Sequence, residues 1–324
     1  MKATKKFITP ALAVSLALFA SGSALAAYPE KPITLIVPWG AGGGTDTTAR
    51  IIAKALSSEL DVPVNVVNRT GGQGVIGHSA IASAKPDGYT LGLITGEITM
   101  MHWAGLTELS YKDYTPLGKF TGVIGGVEVK KDSEFNNINE LVKHIKNNPG
   151  ELTASGGGYG SVWQLNLAGF LGSVGLPLDS VRWVPSEGSA SALQELVAGG
   201  VDFTTTSINE SDAMIRAGEV KGLAVMANTR SEWFPDVPTA KEKLNSDWQS
   251  GSWNGLAGPA NLPDDVVEKL LPIVEKIQRS KEIKNFVSQR RLTLFPVSGN
   301  AWKQELEKLD SAMGRTMKTA GLAK

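Results

Sequence analysis

Apolar residues along this chain follow two rhythms. Ile33-Thr34-Leu35-Ile36-Val37 is a short β-branched run that predicts a buried strand. Soon after it, Ala49, Ile51, Ile52, Ala55, Leu56 and Leu60 recur at helical spacing, with Lys54 and Glu59 on the other side. The alternation continues with a strand at Val64-Asn65-Val66-Val67 and a helix from Val75 to Ala84. The turn Lys85-Pro86-Asp87-Gly88 closes that helix, and a third strand follows over 89–94. Three strands alternating with two helices predict parallel α/β topology, in which ligands bind beyond the carboxyl ends of the strands. The loops at 38–46, 68–74 and 95–97 then share one rim.

A second unit begins near Gly122–Gly126. Val127-Glu128-Val129 leads through a polar stretch to an amphipathic helix from Ile138 to Asn147, ended by Asn148-Pro149-Gly150. The pattern strand, glycine-rich turn, helix then recurs. Leu152-Thr153-Ala154 feeds 155–161 and a helix carrying Leu165, Leu167, Ala168 and Leu171. Val181–Val184 feeds 185–189 and a helix from Ala190 to Val197, and further strands fall at 202–206 and 223–226. From Trp253-Asn254-Gly255-Leu256 the chain returns to the first unit. One helix, capped at 261–265, runs to about Arg279; another spans about 299–320. The expected architecture is α/β with two lobes around a central cleft. Residues 27–124 and 251–324 form one lobe, residues 125–250 the other, and two crossing strands act as the hinge.

The stretch Pro38-Trp39-Gly40-Ala41-Gly42-Gly43-Gly44-Thr45-Asp46 lies on the first strand-to-helix turn. Glycine lets backbone N–H groups face outward, and the helix end adds a partial positive charge, so such a turn can hold a carboxylate or phosphate without a cation. A phosphate-cradling P-loop is excluded, because Thr45-Asp46 stands where Lys and Ser or Thr are needed. A dinucleotide fingerprint is poor, since Gly40-x-Gly42-x-x-Thr45 lacks the third glycine. An anion-holding loop and a plain tight turn with Thr45 or Asp46 as N-cap both remain.

The N-terminus narrows the choice. Lys2, Lys5 and Lys6 precede an apolar run from Phe7 to Ala20, followed by Ala24-Leu25-Ala26, which predicts a secretory signal peptide over residues 1–26 and a periplasmic address. Without those three lysines, 29 basic side chains face 32 acidic ones, a net charge of −3, which offers no footprint for nucleic acid or an anionic membrane. The absence of cysteine excludes thiolate catalysis, thiolate metal sites and disulfides. No cofactor is expected.

Several motifs resemble those of the Bug-type receptors, the extracytoplasmic solute-binding proteins of tripartite tricarboxylate transporters. They are Pro38–Asp46, Pro86-Asp87-Gly88-Tyr89-Thr90-Leu91, Gly160-Ser161 with Leu165, and Trp253-Asn254-Gly255-Leu256-Ala257-Gly258-Pro259; Pro235-Asp236-Val237-Pro238-Thr239 is a weaker one. The resemblance implies a type II periplasmic binding fold that closes by hinge motion and captures small organic acids for inner-membrane transporter subunits. It also implies that Gly40–Asp46 and Gly158–Ser161 hold the ligand's carboxylate from opposite lobes. The chain departs from the family at Gln164, where histidine is common, and at Tyr159 and Trp163, which are bulkier than usual. Those rings favour a flatter acid, aromatic or dicarboxylic, over a citrate-like one.

The candidate ligand-binding set is therefore Trp39, Gly40, Ala41, Gly42, Gly43, Gly44, Thr45, Asp46, Thr95, Gly158, Tyr159, Gly160, Ser161, Gly188 and Ser207. No positive side chain stands clearly inside the rim loops. Arg50 and Arg182 are weak candidates, and a salt bridge is the expected use of Arg69. Four or five hydrogen bonds to a charged group, at roughly 1.5–3 kcal/mol each, would suffice for micromolar affinity without arginine. Asp46 is expected to cap and shape its loop. Glu97 and Glu187 lie on loops near the cleft; solvated rim glutamates are the expectation and an acceptor role the alternative. The three histidines, His78, His102 and His144, show no metal-ligand spacing. A hydrolase is the rival class, but Gly158-Tyr159-Gly160-Ser161-Val162-Trp163 is not a Gly-x-Ser-x-Gly elbow. A receptor for an ATP-driven importer or a sensor kinase shares the same expected lobes. A monomer without a metal is expected.

Overall fold

The structure is a computed structural model and describes residues 28–324; the signal-peptide reading falls outside the described residues. Strand β1 (Ile33–Val37), helix α1 (Gly44–Leu60), β2 (Val64–Asn68), α2 (Val75–Ala82) and β3 (Thr90–Thr95) open the chain. β1 pairs in parallel with both β2 and β3, as the alternation of strand and helix requires. A long strand β4 (Tyr114–Ile124) follows, then β5 (Gly126–Lys130), α3 (Ile138–Asn147), β6 (Thr153–Ser155) and α4 (Val162–Ser173). Next come β7 (Arg182–Trp183), α5 (Ser189–Ala198), β8 (Phe203–Thr204), α6 (Asp212–Ala217), β9 (Val220–Val225) and α7 (Ala240–Leu244). The chain ends with β10 (Gly251–Pro259), α8 (Asp264–Arg279), α9 (Lys281–Gln289), β11 (Thr293–Ser298) and α10 (Gly299–Thr319).

These strands form two sheets, ordered β11-β4-β10-β3-β1-β2 and β7-β6-β8-β5-β9. In the first sheet Ile52 and Leu56 of α1 and Leu270 and Val274 of α8 pack on Leu35 and Phe120. In the second, Leu141 and Ile145 of α3 and Phe170 of α4 cover Val127 and Phe203. Each such side chain removed from water contributes about 1.5–3 kcal/mol.

Several elements differ from the sequence reading. β4 carries Pro116, Gly118, Lys119 and Gly122, which break the apolar alternation, yet it is held between β10 and β11 by antiparallel pairing. α9 is short; only Ile283 and Val287 are buried, and Ser280 caps it by accepting from Ile283 N at 3.2 Å. The strand expected at 202–206 is cut to Phe203–Thr204; the Thr204 and Thr206 hydroxyls donate to the buried Glu128 carboxyl, at 3.0 and 3.3 Å. The 181–184 strand is likewise Arg182–Trp183, and α2 stops at Ala82, ahead of Pro86.

The chain passes from the first sheet to the second at Gly125 and returns through residues 226–250. The two passages lie side by side: Gly125 N donates to Ser250 O at 2.8 Å and Met226 N donates to Gly125 O at 2.7 Å. A Cβ on Gly125 would sit 2.8 Å from Asn166 Nδ2, so this crossing tolerates only glycine without a shift. α10 makes a further link, its Met317 packing with Val162, Trp163 and Leu165 of α4.

Candidate functional site

A cleft of about 690 Å³ is lined by residues of both sheets' connections. On one side lie Trp39, Gly44, Thr45 and Thr47 from the β1–α1 turn, with Glu97, Met100 and Met101 after β3. On the other lie Gly157, Gly158, Gly160 and Ser161 from the β6–α4 turn, and Ser186, Glu187, Gly188 and Ser189 before α5. Asn209 and Glu210, Ser252 and Asn254 of β10, and Arg290 and Leu292 beyond α9 complete much of the lining. Helices α1, α4 and α5 thus all begin at the cleft. Their first N–H groups lack intrahelical acceptors and carry partial positive charge, which suits an anion.

The two glycine-rich turns share a construction. In the first, Asp46 is the third residue of α1, and its Oδ2 accepts from Gly42 N at 2.8 Å. In the second, Gln164 is the third residue of α4, and its Oε1 accepts from Gly160 N at 2.6 Å. Gly42 and Gly160 both have positive φ, 82° and 74°, the left-handed region where only glycine escapes strain. Asp46 also accepts from Arg50 at 2.9 and 3.0 Å and from Asn68 Nδ2 at 2.9 Å. The Arg50 guanidinium lowers the Asp46 pKa to about 2 against the opposing effect of burial, with further help from Gly42 N–H and Asn68. Ser161 caps α4, its Oγ accepting from Gln164 N at 3.3 Å, which leaves the hydroxyl proton available.

The site differs from the sequence reading in several respects. The N-cap of α1 is Gly43; Thr45 and Asp46 lie inside the helix. Asp46 is buried and fully engaged within its loop, as the shaping role predicted, and does not line the cleft. Gly40, Ala41, Gly42, Gly43, Thr95, Tyr159 and Ser207 do not line it either. The Gly42 amide is spent on Asp46 and the Gly43 amide points to Gly40 O at 3.4 Å, so the donors nearest the cleft are those of Gly44 and Thr45. Tyr159 is 63 % exposed, leaving Trp39 and Trp163 as the aromatic walls. Ser207 Oγ is turned to Asn209, donating to its Oδ1 at 3.3 Å. Glu187 is exposed as expected, but Glu97 is half-buried, because β3 carries it into the floor of the cleft. Trp39, Gly44, Thr45, Gly158, Gly160, Ser161 and Gly188 are the candidates the fold brings together at the cleft. Arg69 is exposed and makes no salt bridge among the described residues.

Met100, Met101, Asn254 and Arg290 were missed. The methionines and Asn254 reach the cleft only because β3 and β10 pair, with Asn254 opposite Thr95. Arg290 arrives from α9, nearly 200 residues beyond β3. Behind the first turn, His78 is buried; its Nδ1 faces Gly74 O at 2.8 Å and its Nε2 accepts from Thr95 N at 3.2 Å. Burial lowers its pKa to about 4, so it is neutral at pH 7. Burial also raises the carboxyl pKa of Glu97, and that of Glu128 to about 8.

A two-lobed α/β fold whose helix ends meet at a cleft between the lobes is that of a periplasmic binding protein. Residues 48–322 match the model of the tripartite tricarboxylate transporter family receptor (TctC), and the chain belongs to that family. A similar protein is a UPF0065 protein of Bordetella pertussis, 32% identical over 259 residues and 79% of each chain. Among solved structures, a TctC solute binding protein from Polaromonas is 29% identical with a TM-score of 0.79, covering 90% of this chain and 99% of that one. R. palustris Rpa4515 with adipate is 26% identical with a TM-score of 0.79, covering 91% of this chain and 99% of that one.

Proposed function

We propose that this chain is a periplasmic receptor that holds the carboxylate of a small organic acid between the β1–α1 and β6–α4 turns and delivers it to inner-membrane subunits of a tripartite tricarboxylate-type transporter. One observation carries the reading: the starts of α1 and α4, from opposite sheets, line a single cleft. The adipate in Rpa4515, a relative by fold and sequence, agrees with an acid as ligand. The lobes are residues 27–124 with 251–324, and 125–250; the mature chain starts near Ala27 and acts as a monomer. Closure is a hinge motion about Gly125 and the 226–250 passage.

The function is binding, not catalysis. Ser161 Oγ serves as a helix cap, with no histidine beside it among the described residues, and His78 is buried behind the other turn. Thermal-shift measurements on the mature protein with mono-, di- and aromatic carboxylates test the reading. An acid at 100 times its Kd is expected to add about 2.7 kcal/mol of stability, a clear rise in Tm. No rise with any acid overturns it.

A further inference from the structure

The floor of the cleft presents acceptors where a second carboxylate of a ligand would need donors. Glu97, just after β3, lines the cleft and is the end of a directed chain of hydrogen bonds. Trp39 Nε1 donates to Thr95 Oγ1 at 3.3 Å, and Thr95 Oγ1 donates to Glu97 Oε2. With Glu97 ionised, its carboxylate can only accept, so the Thr95 hydroxyl donates to it while accepting from the indole N–H. His78 Nε2, which accepts from the Thr95 amide at 3.2 Å, also lies 3.3 Å from Thr95 Oγ1.

A second acceptor stands beside this one. Asn254, the register partner of Thr95, also lines the cleft. Its Nδ2 donates to Thr121 Oγ1 at 3.3 Å, while its Oδ1 is buried with no hydrogen-bond partner among the described residues. Glu187 and Glu210 line the cleft on the side of the second sheet. Among the described residues, the one cationic side chain in the lining, Arg290, is exposed. Helix ends serve one carboxylate; among the described residues, the charged side chains of the lining are the three glutamates and Arg290.

Resting on the carboxylate-receptor reading, we propose that the ligand is a zwitterion, an amino-carboxylic acid whose protonated nitrogen faces Glu97 and Asn254 Oδ1 while its carboxylate meets the glycine turns. Like charges a few ångströms apart repel, so a dicarboxylate is disfavoured beside an ionised Glu97. An ammonium instead makes charge-assisted hydrogen bonds to the same groups and holds Glu97 ionised. Trp39, Met100, Met101 and Trp163 offer an apolar surface for the body of the molecule, and the indole faces tolerate a nearby cation. Rpa4515, which holds the dicarboxylate adipate, would then differ in selectivity from this chain.

The test is calorimetry on the mature protein with a panel of α- and ω-amino acids, each paired with its amine-free counterpart, and with adipate. The expected result is at least one amino acid bound ten-fold or more tighter than its counterpart and than adipate. Glu97→Gln is expected to lower that amino acid's affinity at least ten-fold while leaving the amine-free acid little changed; the wild-type pairs alone decide the matter if that variant does not fold. Adipate or amine-free acids binding as well as every amino acid overturns the zwitterion and leaves the receptor reading standing. Absence of binding by all of the acids overturns both.

Discussion

The two glycine turns have the same geometry and different electrostatic character. In each, the third helical residue reaches back to a left-handed glycine four positions earlier, Asp46 to Gly42 and Gln164 to Gly160. The first uses an anion, whose charge Arg50 offsets and whose Oδ1 accepts from Asn68. The second uses a neutral amide, and the position that corresponds to Arg50 is Ala168, which is buried. The comparison teaches that an anion-binding turn can be stiffened with or without charge. Only the uncharged version leaves its full dipole for the ligand, so the second turn is expected to hold the carboxylate more strongly.

Gln164→Glu tests this most severely. It places a buried carboxylate on the second turn with no arginine to balance it, and is expected to cost about 3 kcal/mol or more of stability and at least ten-fold in affinity. Thermal melts and calorimetry read both; unchanged binding would break the proposed asymmetry. Gly42→Val and Gly160→Val should each cost about 1–2 kcal/mol through the left-handed backbone, whereas Gly43→Val, at φ −73°, should cost less. A Gly43 variant as damaging as Gly42 would show that space, and not φ, governs the loop.

Ser161→Ala removes the α4 cap, about 1 kcal/mol of stability, and a hydroxyl donor, about ten-fold in affinity. Melting and titration of one variant separate the two losses. A smaller effect is expected from Arg50→Gln, because its side chain is exposed and the Asp46 carboxylate left behind keeps its donors at Gly42 N and Asn68 Nδ2. Asp46 has a lowered folded pKa, so its contribution is present above pH 4 and lost as pH falls toward 2. An acid titration of stability should flatten in that window for Asp46→Asn and be unaffected by Gln164→Asn.

Much of this was legible along the chain. β1–β3, α1 and α3 carry clear apolar periods, α4 is buried on all faces, and the turns before α1 and α4 hold runs of glycine, so the parallel α/β core and the two turns could be read locally. β4, β11 and α9 could not, because their stability comes from partners: β4 lies between β10 and β11, and α9 buries just Ile283 and Val287. The role of Gln164 was hidden for a similar reason. Glutamine at a helix's third position suggests a capping contact, but its target depends on the path of the preceding loop.

The sequence by itself determined the class of fold, the family and the two glycine turns, since each depends on residues within about ten positions of one another. The tertiary structure decided which of those residues meet at the cleft. It turned Asp46 inward and Tyr159 outward, and brought Glu97, Asn254 and Arg290 together from three distant segments. Local backbone preference is written residue by residue, whereas a cleft's charge is the sum of side chains that only the packing of two sheets brings within reach of each other.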